Sequence, residues 1–236
     1  MGRIHRYRTA LSRRHRSGGF GIHSPFAFNF VLNVLRERRP YYAYEELMHL
    51  RSVAAQEAKL YRHHPAVITG KNAKMLFRIT NFFKPAHILH VGIDYGVSAA
   101  ATLLPDSRTT CTLLAQQPLR FPVTRQVLER FEGRITTFAD LDEAFAHYAH
   151  TQQVPFIVID RIFTQQQLEA LSAYLQGVQQ GEAVVIIRNI ANSSLMKQLW
   201  EHTKNQLQHG HTYTNEKLAV IVARPTLPLQ HFLLWF

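Results

Sequence analysis

Gly92 and Gly96 follow an apolar run in ILHVGIDYGVSAA, residues 88 to 100. Two glycines between a strand and a helix let the backbone pass close to a ligand, the arrangement that holds nucleotides. His90 stands where such loops usually begin with an acid. Two acids end later apolar runs, Asp140 after RITTFA and Asp160 in PFIVID, and two arginines, Arg161 and Arg188, follow strand ends. Those cations either draw an anionic ligand to the mouth of a site or lie on the surface. Other chemistries lack their parts. GVS at 96 to 98 has no second glycine for a nucleophile elbow, and no phosphate-binding P-loop occurs. The histidine pairs in RHH (62 to 64) and HGH (209 to 211) have no acid or cysteine at ligand spacing and read as solvated side chains. Cys111 is the only cysteine, which excludes an internal disulfide and fits a reducing cytoplasm.

The elements that would position these residues alternate. Strand patterns read HILHVG, TTCTLLA, RITTFA, PFIVID and EAVVIIRNI, separated by the helical patterns PVTRQVLERF, LDEAFAHYAH and TQQQLEALSAYLQGV. Short apolar strands alternating with amphipathic helices predict a parallel sheet covered on both faces. After the helix SSLMKQLWEHTKNQL come KLAVIVAR and HFLLWF, joined by PTLPL. That link is too short for a crossover helix, so the two strands are expected to pair antiparallel. Ahead of the first strand, Ser24 and Pro25 open a helix ended by Pro40, with Phe26, Phe30, Val31 and Val34 on one packing face. YEELMHLRSVAAQEAKLYRHH and KNAKMLFRITNFF predict two more helices. The organisation expected is a basic arm over 1–22, a helical extension or lid over 23–84, and an α/β domain over 85–236.

A hydrophobic content of 46% is ample for a packed core. The net charge of +11 is concentrated: residues 1 to 39 hold nine arginines and one acid, Glu37, so eight of the eleven charges lie there. The arm MGRIHRYRTALSRRHRSGGFG interleaves Arg and His with Tyr and Phe. Its residues 3–16 suit RNA or another anionic partner, since clustered arginines release counterions from phosphates. A solvated tail and an Arg-rich targeting sequence fit the same composition. No secretory signal and no membrane span are expected, which points to a soluble, cytoplasmic protein.

Five parallel strands, a glycine loop after the first and a terminal hairpin resemble class I S-adenosylmethionine-dependent methyltransferases. GIHSPFAFNFV, MLFRITNFFKPAHILHVG and AVVIIRNIANSSLMKQLW resemble motifs of a bacterial O-methyltransferase-like subfamily. The resemblance covers roughly residues 20 to 236. It implies a Rossmann-like methyltransferase fold: a seven-stranded, mostly parallel sheet with a carboxy-terminal antiparallel hairpin. It also implies S-adenosylmethionine as cofactor at the carboxyl ends of the strands, and methyl transfer to an unidentified oxygen or nitrogen acceptor. Gly92 and Gly96 would approach the cofactor, and Asp94 would take a hydrogen bond from its amino acid end. Asp140 would read the adenine amino group. Asp160 would face the reaction centre, binding cofactor and orienting or deprotonating the acceptor. Asn189 matches a ligand position of metal-dependent relatives.

Three acids of that pattern are replaced, by His90, Leu114 and Arg188, and Phe163 replaces a polar residue. Leu114 falls where relatives accept from both ribose hydroxyls. A buried hydroxyl without a partner costs about 1–3 kcal/mol, and two would weaken binding roughly a hundredfold or more. Arg188 repels a metal ion, so none is expected beside Asp160 and Asn189. Arg188 either pairs with Asp160 or turns into solvent. The departures make an inactive relative, working as a binding module through its arm, the close alternative to an enzyme.

Overall fold

The computed structural model describes residues 18–19, 21–61, 66–93, 95–115, 122–150 and 154–236. Most of the arginine arm, the RHH triplet and Asp94 lie outside them. The helices are α1 (Pro25–Phe30), α2 (Tyr44–Ala58), α3 (Gly70–Phe83), α4 (Val97–Leu103), α5 (Pro122–Leu128), α6 (Leu141–Ala149), α7 (Gln165–Val178) and α8 (Ser194–Gln206). The strands are β1 (His87–Val91), β2 (Thr110–Leu114), β3 (Ile135–Phe138), β4 (Phe156–Ile159), β5 (Ala183–Ile187), β6 (Gly210–Thr214), β7 (Ala219–Ala223) and β8 (Gln230–Leu233). Their order in the sheet is β3-β2-β1-β4-β5-β7-β6-β8. This is the α/β, Rossmann-like methyltransferase architecture the sequence predicts, with eight strands where seven were expected.

The chain divides into two compact units, Arg39–Ala170 and the remainder. In the first, β1 pairs parallel with β2 and β4, and β2 pairs parallel with β3. Every residue of β1 and β4 is buried, which is why these strands read as unbroken apolar runs. The Thr69 hydroxyl accepts from Asn72 N at 3.2 Å to start α3, and Lys84 in the left-handed region (φ 49°) ends it before Pro85. Tyr148 of α6 accepts from Phe156 N at 2.7 Å and donates to Phe156 O at 3.2 Å, fixing that helix to the start of β4.

In the second unit, the Ser24 hydroxyl accepts from Ala27 N at 3.3 Å and Pro25 takes the first helical turn. The helix continues as one π-type segment, Val31–Leu35. Its Phe26 and Phe30 pack on His211 and Tyr213 of β6, with ring centroids 5.9 and 4.9 Å apart, so the apolar face is core.

The expected pairing of the last two strands is corrected here. β7 runs antiparallel to β5 and β6, and β8 pairs parallel with β6. The hairpin is therefore β6–β7, and the link from Arg224 to Leu229 steps past β6. Leu227 O accepts from Gly210 N at 3.1 Å during that step. β6 escaped the sequence reading because GHTYT has no apolar run. It is buried by pairing its polar groups: His211 Nδ1 lies 3.0 Å from Tyr213 Oη, and Thr212 Oγ1 lies 2.9 Å from His231 Nδ1.

Candidate functional site

The strand–turn–helix around Gly92 forms as the sequence predicts, and both glycines take positive φ, 77° and 80°. What approaches them, though, is this chain. A Cβ on Gly92 would lie 2.5 Å from Arg161 O and 2.9 Å from Arg161 N. One on Gly96 would lie 3.0 Å from Leu128 Cγ and 3.2 Å from Val127 Cγ1. The Gly92 amide donates to Leu114 O at 2.9 Å, and the amide of Asp160 donates to Val91 O at 2.8 Å. Tyr95, between the glycines, is buried. The space a loop of this shape normally keeps for a ligand is lined by protein atoms on each side that the structure describes.

Leu114 ends β2, and both it and Ala115 are buried, at 2% and 4% exposure. The Ala115 amide donates to Phe138 O at 3.0 Å, continuing the β2–β3 ladder. An apolar side chain at this depth gives a ribose diol no acceptor, so the described residues do not fit a nucleoside here.

Asp140 is exposed and caps α6, its Oδ1 accepting from Asp142 N at 2.9 Å and Glu143 N at 3.0 Å. Asp-x-x-Glu, Asp140 to Glu143, opening an apolar-periodic segment was the available signal for that cap. Asp160 is buried, 1% exposed. Its Oδ2 accepts from the Ser98 hydroxyl and lies 3.4 Å from His90 Nε2. Ser98 Oγ is also 3.4 Å from that nitrogen. The sequence places His90 against a helix layer, and α4 is that layer. Ser98 and Tyr95 were missed. Ser98 reads as an ordinary helix-start residue, and a tyrosine in a glycine loop carries no signal of its own burial.

Arg188 is buried at 6% exposure, which removes the solvent-facing alternative. Asn189 adopts the left-handed region, φ 57°, and its carbonyl accepts from Asn192 N at 2.9 Å, turning the chain into α8. Arg161 is half-buried, with its guanidinium 5.8 Å from the centre of the exposed Phe163 ring. His211 of HGH is a core residue whose pKa burial lowers to about 4. Burial likewise pushes the Cys111 thiol up to about 12, leaving it no thiolate chemistry near neutrality.

In the second unit, a cavity of about 700 Å³ opens after β5. Trp200 and Thr214 line it together with Ser193, Lys197, Glu201 and Glu216. Glu201 accepts from Lys204 Nζ at 2.5 Å, and that ammonium lies 5.7 Å from the Trp200 ring centre. The volume suits a small molecule, and its lining carries charges of both signs.

No family profile and no curated protein matches this sequence. Solved structures do match it in fold. The cofactor-bound Rv0187 from MTB is 15% identical, covers 85% of this chain and 97% of its own, and has a TM-score of 0.53. The O-methyltransferase from Bacillus cereus in complex with SAH is 16% identical over 83% and 96%, with a TM-score of 0.52. The O-methyltransferase TomG from Streptomyces achromogenes, in complex with SAM, is 9% identical over 84% and 96%, with a TM-score of 0.57. The chain thus has the class I methyltransferase fold. At such identities the likeness is one of fold, and function rests on the site.

Proposed function

We infer that this is a methyltransferase-like protein in which methyl transfer is lost or impaired, and whose working role is binding. The observation that carries this reading is Leu114: buried at the end of β2, with its carbonyl taken by the Gly92 amide. Asp140 and Asp160 support it, because the described contacts of both carboxylates are to the protein's own groups. The cavity beside Trp200 offers space for a small ligand. The Arg-rich arm, with its excess of positive charge, fits RNA or an acidic protein surface. Cytoplasmic placement belongs to the same reading. Among the described residues no helix is long and apolar enough to cross a membrane.

The second reading is a working S-adenosylmethionine-dependent enzyme of the bacterial O-methyltransferase-like subfamily, with Asp160 serving the acceptor. The SAM- and SAH-bound neighbours favour it. Isothermal titration with S-adenosylmethionine and S-adenosylhomocysteine separates the two. No heat of binding at millimolar ligand supports the binding module, and micromolar affinity supports the enzyme. Titration with RNA at two salt concentrations, with and without residues 1–20, tests the arm. A salt-dependent affinity that vanishes on truncation is expected.

A further inference from the structure

Asp160 is a carboxylate at 1% exposure, and a buried charge persists only when it is paired or hydrogen-bonded. Its described partners come from two elements, Ser98 on α4 and His90 on β1. Those elements are the two arms of the glycine turn, and Asp160 itself sits at the end of β4. His90 is fully buried and Ser98 is 4% exposed, so the cluster is sealed from water. The His90 Nδ1 atom has no hydrogen-bond partner among the described residues. The ring proton therefore belongs on Nε2, which faces both the carboxylate and the hydroxyl. The 3.4 Å separation makes the His90 contact mainly electrostatic, while the Ser98 bond is the short one. Backbone contacts reinforce the same junction. Asp160 N donates to Val91 O, and the Arg161 backbone covers Gly92.

We propose that His90, Ser98 and Asp160 form an internal clasp that holds the β1–α4 glycine turn closed without a ligand, with His90 as the residue that positions Asp160 inward. The inference rests on the binding-module reading and names the residues that hold the crevice in its closed form. A turn that awaits a cofactor leaves its polar groups for the ligand to satisfy. Here the strand ends and the helix start are joined by groups the chain supplies. His90, one of the three departures from the methyltransferase pattern, is thereby a working part of the closed state.

The test is amide hydrogen exchange of the full-length protein, with Asp160→Asn, His90→Leu, His90→Gln and the Asp160→Asn/His90→Leu double variant. Amides of Thr212 and Ile221, in β6 and β7, report global opening. Asp160→Asn and His90→Leu are each expected to speed exchange at Gly92 and Gly96 by about tenfold or more, relative to those reference amides. The double variant should be no faster than the faster single variant, because both remove one interaction. His90→Gln, which keeps a donor, should recover most of the protection. Unchanged turn exchange in both single variants, or fully additive effects in the double variant, would overturn the clasp. The same samples are measured with S-adenosylhomocysteine. Ligand protection of the wild-type turn would sink the binding-module reading, while coupling between positions 90 and 160 decides the clasp separately.

Discussion

The amide of Gly92 donates to the carbonyl of Leu114 at 2.9 Å, carrying the β1–β2 ladder one residue past the end of β1. That bond takes a glycine-loop donor and the backbone acceptor of the residue expected to meet a sugar. The Leu114 side chain is buried beside it, at 2% exposure. The glycines remain because the backbone conformation and the neighbouring chain need them.

Gly92→Ala tests that last point. The new methyl group would meet the Arg161 backbone, at a φ of 77° that alanine rarely adopts. A loss of about 2–4 kcal/mol in urea unfolding is expected from overpacking and strain together. Gly96→Ala should cost less, since its neighbours are side-chain atoms of Val127 and Leu128 that can shift.

Leu114→Asp restores the acid of the methyltransferase pattern. At 2% exposure the new carboxylate has no described cation waiting for it, so the expected outcome is a stability loss of about 3 kcal/mol or more. Differential scanning fluorimetry with and without S-adenosylhomocysteine reads both effects. A variant that melts lower and gains nothing from ligand fits a filled crevice.

Asp140→Ala separates a helix cap from an adenine contact. Loss of two accepted amide bonds at the start of α6 should cost about 1 kcal/mol of stability. Asp140→Asn, which keeps a capping oxygen, should restore most of it in the same denaturation series.

Stability should fall as pH drops from about 6.5 towards 4. His87 and His211 are both lowered to about 4, chiefly by burial, and His87 is lowered further by His147 nearby. His87 is already bonded through both ring nitrogens, to Thr110 at 2.5 Å and Thr112 at 2.7 Å. With folded pKa values below the unfolded ones, the unfolded chain binds more protons between pH 4 and 6.5. Acidification therefore favours unfolding in that window, and the contribution is constant above about pH 7. Urea midpoints across pH 4 to 8 should show this, and His211→Gln should flatten part of the slope.

Periodicity exposed β1 to β5, β7, β8 and most of the helices; β1, β4, β5 and β7, buried throughout, are near-continuous apolar runs. β6 stayed hidden because its burial depends on a bond to His231 of β8 and on the His211–Tyr213 pairing within the strand, which spacing alone does not reveal. The pairing of the last strands was misread for the same reason: PTLPL excludes a crossover helix but does not exclude a step past an intervening strand. At the site, the glycine turn, the apolar Leu114 and the inward-facing His90 were legible as residue types. The partners of Asp160 and the burial of Tyr95 were not, because they depend on how α4, β1 and β4 meet. Asp140 was legible as an acid at a strand end, while the cap it forms on α6 was spelled by its neighbours Asp142 and Glu143.

The most direct measurement is a crystal structure of the full-length protein grown or soaked with millimolar S-adenosylhomocysteine. The account predicts no ligand at the β1–β2 mouth, with Tyr95 and Leu114 buried and the Gly92 to Leu114 bond intact. An adenosyl group seated over Gly92 and Gly96, its diol held by another oxygen of this chain, would contradict it.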